Sequence, residues 1–164
     1  MERYKYGGLS EKGIYLDETV MRMCYTHRRL FSLLALNLIQ EEQFDKAKAV
    51  LDRCEKELPS YNIPHNMMSA ISGSLDIAHG YLLVKDMKKA RSIIDQVYNN
   101  AYQYMQWYST LNSGLLASYQ NDITRAYYVL NNCADLARDI DPNYGNQMAK
   151  KTEAIAATIT NKYQ

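Results

Sequence analysis

A chain of 164 residues is long enough for one compact domain, since a chain of that size buries roughly 70% of its unfolded surface. Its 19 basic and 18 acidic residues leave a formal charge of +1, which removes any general electrostatic pull toward nucleic acid or an anionic membrane. Three prolines and seven glycines interrupt it so rarely that an all-α chain is the expected class.

In chain order, residues 1–17 read as an irregular segment around Gly7 and Gly8, without the apolar stretch of a secretory leader. Asp17 is a suitable N-cap and Glu18 suits the first turn, so a helix is expected to start there and continue to Gln40. After the polar turn "EEQ", the stretch "FDKAKAVLDRCEKELP" predicts a second amphipathic helix closed by Pro59. Pro64 within "NIPHNMMSA" predicts a loop. Further helices are expected up to the turns "VKD" and "QND" and beyond each of them, the one after "VKD" running on through "YNNAYQYMQWY". Pro142 closes that series, and a last helix spans about 144–162.

Three stretches repeat: "FDKA" (44–47), "MKKA" (87–90) and "ITRA" (123–126), each after a polar turn. Around them, Phe31, Leu34, Ala35 and Leu38 precede Ala47, Leu51 and Pro59; Ile77, Ala78 and Tyr81 precede Ala90 and Ile94; Gly114 and Ala117 precede Ala126 and Leu130. This spacing resembles the tetratricopeptide (TPR) repeat, with units near 28–61, 71–104 and 107–140 that start 43 and 36 residues apart. The expected fold is therefore a single TPR-like domain over 1–164, a right-handed α-solenoid of about three helical hairpins with a C-terminal capping helix. Two helices approach closely only where neither carries bulk, so Ala35, Ala78 and Gly114 are expected to face Ala47, Ala90 and Ala126.

Cys24, Cys54 and Cys133 lack disulfide or zinc spacing, and Cys54 and Cys133 share one repeat position, which predicts small packing residues. His27, His65 and His79 are scattered, and no metal, phosphate-loop or nucleophile motif is present. The expectation is a chain without catalytic residues, cofactor or metal. Fifteen tyrosines suit helix seams first and half-exposed contact faces second. The uncharged run between Asp95 and Asp122 is too polar to span a bilayer.

If the first helices line a concave surface, as in TPR stacks, that surface comprises Arg29, Ser32, Leu36, Ile39, Ser72, Leu75, His79 and Leu82. Ser32 and Leu36 stand where carboxylate-gripping members of the TPR family carry Lys and Asn, so an apolar or self-associating groove is expected instead.

The N-terminal half, through "KYGG", "YLDETVMRMCYTHRRLF", "KAKAVLDRC" and "YNIPH", resembles the C-terminal soluble region of bacterial multi-spanning membrane proteins related to protein O-mannosyltransferases. The resemblance covers about the first 85 residues and fades beyond Trp107. It implies the soluble tail of a glycosyltransferase-like membrane protein, lying outside the cytoplasm, whose catalytic acids would sit in a membrane domain that this sequence does not include. The expected role is a non-catalytic accessory domain positioning an acceptor or partner protein, or docking on its own parent's membrane domain. A homodimer, a free-standing scaffold in the cytoplasm, and a small all-α enzyme are the alternatives; nucleic acid is not an expected partner.

Overall fold

The computed structural model describes residues 5–67 and 72–162. Tyr4, the 68–70 part of the expected loop and the second repeat's start at Ile71 lie outside the described residues. Among the described residues there are seven helices and no strand, so the chain is all-α as its composition predicts. It divides into two compact units, Met1–Ala90 and Arg91–Gln164.

The first unit holds α1 (Glu18–Gln40), α2 (Phe44–Glu57), α3 (Ser74–Leu83) and the opening residues of α4 (Met87–Tyr108). Asp17 caps α1 as expected, its side chain accepting from the Val20 amide at 2.8 Å. α1 buries Cys24, Tyr25, Arg28, Phe31, Ser32 and Ala35, one helical stripe, and packs on both α2 and α3. α2 answers with Ala47, Val50, Leu51 and Cys54. Gly80 of α3 lies so close to Leu51 that an added Cβ would meet its methyls at 3.1 and 3.2 Å.

Two of the polar turns match at the level of single hydrogen bonds. Where α1 ends, the amides of Glu41, Glu42 and Gln43 donate to the carbonyls of Asn37, Ile39 and Leu38 at 3.1, 2.9 and 2.8 Å. Forty-three residues on, Val84, Lys85 and Asp86 donate to Gly80, Leu82 and Tyr81 at 3.0, 3.0 and 2.8 Å. The central residues, Glu42 and Lys85, take left-handed φ values of 58° and 64°. This closes each helix by satisfying its last carbonyls, and the next helix starts at once. The alanines of the helices on either side of these turns, Ala35, Ala47, Ala78 and Ala90, are all fully buried.

The second unit holds the rest of α4, then α5 (Ser113–Ser118), α6 (Gln120–Ile140) and α7 (Pro142–Thr160). Here the repeat does not persist. α4 runs through Trp107, α5 is six residues long, and "QND" is the first turn of α6 rather than a turn between helices. Gly114 and Ala117 are exposed, and a Cβ on Gly114 would meet only Asn112 Oδ1, at 3.6 Å, so Gly114 does not face the buried Ala126. The physical reason is the polar stretch "STLNS": without large apolar residues it cannot hold a full helix against the core, and only Leu116 of α5 is buried.

The close approach in this unit is made at Gly145 of α7. A Cβ there would fall 2.6 Å from both the Ala134 carbonyl and the Arg138 amide of α6. Asp141 caps α7 by accepting from the Asn143 amide at 2.9 Å, with Pro142 in the first turn, so this proline opens the last helix as well as ending α6. Tyr98 of α4 donates to the Met148 carbonyl at 2.9 Å, and Tyr144 donates to Asp95 while Arg91 covers its ring at 4.2 Å.

Candidate binding surface

The eight residues expected on a concave face all belong to the first unit, where they separate by burial. Ser32, Ser72 and Leu82 are buried: Ser32 Oγ donates to the Arg29 carbonyl at 2.8 Å, and Ser72 Oγ meets Ser74 Oγ at 2.8 Å. Leu36, Ile39 and Leu75 are half-buried, and Arg29 and His79 are exposed. Exposed Asp76 lies within the fields of both Arg29 and His79; partial burial raises its carboxyl above the ordinary range while the two bases pull it down. Gly73, with φ of 65°, brings the start of α3 against α1, a Cβ there falling 2.8 Å from Arg29 Cα.

A surface that the repeat alignment did not single out lies on α1. Met23, Leu30, Leu33 and Leu34 are 58, 56, 47 and 38% exposed. With exposed Thr26 and Asn37 they recur every three or four residues along one face, opposite the buried stripe. Leu34, which the alignment put among the packing residues, is part of this outer face. The signal was in the sequence as an α1 apolar on two sides, more than one core contact needs. Arg22 and Arg29 flank the face, Arg22 reaching Glu18 at 3.8 Å.

Behind it lies a buried polar cluster. Arg28, fully buried, donates through Nη1 to the Pro64 carbonyl at 3.2 Å and through Nη2 to the Leu58 carbonyl at 3.2 Å and the Ile63 carbonyl. Its guanidinium also lies 5.9 Å from the Tyr25 ring centre. His65, on the same loop, is 2% exposed, with Nδ1 3.0 Å from Ser74 Oγ and Nε2 3.2 Å from Glu55 Oε2. A neutral ring protonated on Nε2 satisfies both contacts, donating to the carboxylate and accepting from the serine. Burial pushes the His65 pKa below its ordinary value and nearby Arg28 adds to this, against the pull of Glu55.

Glu55, His65 and Ser74 have the order of a nucleophile relay, but not its access. Ser74 is fully buried and its hydroxyl is engaged by both His65 and Ser72, so no acyl group can approach its oxygen. The cluster pins the loop after α2 to all three helices. Cys54 and Cys133 are fully buried with thiol pKa values pushed far up by desolvation, which makes them inert packing groups. Among the described residues no group of His, Cys, Asp and Glu could hold a metal ion, and no helix is long and apolar enough to cross a membrane.

No family model, curated protein or solved structure matches this chain.

Proposed function

We propose that the chain is a TPR-like interaction domain that receives a protein or peptide partner on the outer face of α1. The observation that carries this reading is the four-residue apolar row Met23, Leu30, Leu33 and Leu34, left open to solvent on a helix about 34 Å long. Apolar side chains at helical spacing with charges alongside suit an amphipathic partner. The duplicated turn at Glu42 and Lys85 supports a TPR-like hairpin repeat within the first unit. In this reading the domain is non-catalytic and forms the soluble tail of a membrane glycosyltransferase-like protein related to the O-mannosyltransferases, outside the cytoplasm. Support for that parentage is the N-terminal sequence resemblance alone.

A benzophenone side chain placed at Leu30 should crosslink in cells to one defined partner, and the same probe at Tyr15, 90% exposed on the N-terminal segment, should not. Arg29→Glu combined with Leu33→Asp should abolish that crosslink while the helical circular dichroism is kept. Identical labelling from both probe positions, or an unaffected double variant, refutes the surface. The reading frame upstream of Met1 tests the parentage: hydrophobic spans are expected, and a stop codon immediately before it refutes the tail.

A further inference from the structure

The second unit carries a different kind of surface, independent of α1. Trp107 and Tyr104 of α4 and Leu115 of α5 are 46, 44 and 49% exposed. Trp107 is braced from behind. Its ring centre lies 5.2 Å from Tyr119 in a near-perpendicular contact at 76°, and 5.1 Å from Tyr108, which is itself buried. Tyr108 also contacts Tyr104 and Tyr119 at 6.4 and 5.6 Å. Four aromatic rings thus form one cluster whose inner members fix the orientation of an indole that remains half open.

The groups around it are neutral. Between Asp95 and Asp122 the chain has no charged residue, and exposed Gln103, Gln106, Thr110, Asn112 and Gln120 fall within this run. Among the described residues, Asp122 and Arg125 act on Tyr108 and pair with each other at 3.2 Å, and the Lys162 ammonium donates to the Leu111 carbonyl at 3.1 Å. An anionic polymer would need a row of cations to neutralise successive phosphates, and a single lysine at the edge does not supply one. A proline-rich peptide also docks on aromatic-lined surfaces, along an extended groove, and is the competing class in the test below. A pyranose matches what is present: its face of C–H groups lies on the electron-rich face of an aromatic ring, and its hydroxyls exchange hydrogen bonds with amides and hydroxyls at the edge.

We propose that the Trp107–Tyr104 surface binds a neutral saccharide by stacking. Trp107 is the chain's one tryptophan, so its emission reports on this surface alone. The probes are maltotriose, cellotriose, mannotriose and chitotriose, each titrated into the full chain, with hexaproline as the competing class. One neutral trisaccharide should shift the emission saturably, with a dissociation constant on the order of 1 mM. Saturation-transfer NMR should show the same contact, weakened about tenfold or more by Tyr104→Ala or Trp107→Ala and unchanged by Tyr15→Ala. Circular dichroism shows whether each variant is folded, and Tyr104→Ser, which changes a half-exposed member of the cluster, should weaken binding if Trp107→Ala unfolds. No saturable response to any of the four sugars, binding that survives these substitutions, or a saturable response to hexaproline alone overturns the proposal.

Discussion

Arg28→Met tests whether the fully buried guanidinium holds the loop after α2. The substitution keeps the length of the side chain and removes its donors. Of the three carbonyls that Arg28 satisfies, those of Leu58 and Ile63 are reached in the interior, while that of Pro64 belongs to an exposed residue and can turn to water. Two orphaned acceptors at ~1–3 kcal/mol each set the loss at about 2–6 kcal/mol. Against this, removing a buried charge that no carboxylate among the described residues pairs within salt-bridge distance relieves part of its desolvation. The net expectation is a destabilisation of about 3 kcal/mol, a drop in Tm of roughly 6–12 °C for a chain of this size. Hydrogen exchange resolved by residue should show the loss of protection concentrated in residues 58–67. Arg28→Lys should be nearly as damaging, because one ammonium cannot replace a fork of donors. A Tm within about 2 °C of wild type with unchanged exchange in that loop would refute the reasoning.

His65 predicts a loss of stability in acid. Its pKa is depressed in the fold relative to about 6.5 in the unfolded chain, so folding favours the neutral ring and the unfolded state takes up the extra proton. The stabilisation is complete above about pH 6.5 and falls as the pH drops from there toward the depressed value. His65→Gln, measured by urea denaturation between pH 7.5 and 5, should flatten that slope, and an equal slope in both proteins would exclude His65 as its source. Gly145→Ala and Ala47→Leu should each cost about 1–3 kcal/mol by overpacking. Gly145→Ala acts where a Cβ would crowd the Ala134 carbonyl, and Ala47→Leu where the native residue is fully buried. Unchanged midpoints would contradict these contacts.

What the sequence disclosed was whatever depends on local periodicity. The Asp17 cap, the reach of α1 to Gln40, the extension of α4 through Trp107 and the buried alanines on either side of the first two turns all follow from spacing. The third unit departs from the pattern because Ala126 matches while Thr110 and Ser113 stand at two of the large apolar positions before it, and such a stretch does not build a full partner helix. Gly145 was hidden because glycine spacing alone does not distinguish a close helix contact from a turn. Arg28 and His65 were invisible as partners: their contacts, Leu58, Ile63 and Pro64 for one and Glu55 and Ser74 for the other, depend on how a proline-containing loop folds back. Their separation along the chain carries no regular signal. The outer face of α1 failed differently, since excess apolarity on a helix reads as core until a neighbour is found missing.

The two matching turns bear on the order in which the first unit forms. Each joins residues only three to five positions apart, so closing it costs little chain entropy, and both can form early and independently. The guanidinium bridge from α1 to the loop spans thirty or more residues and gains its acceptors only after α2 has docked. Loop-closure entropy thus predicts two quick local reversals followed by one late, long-range latch, an order that folding φ-values high at the two turns and near zero at Arg28 would show.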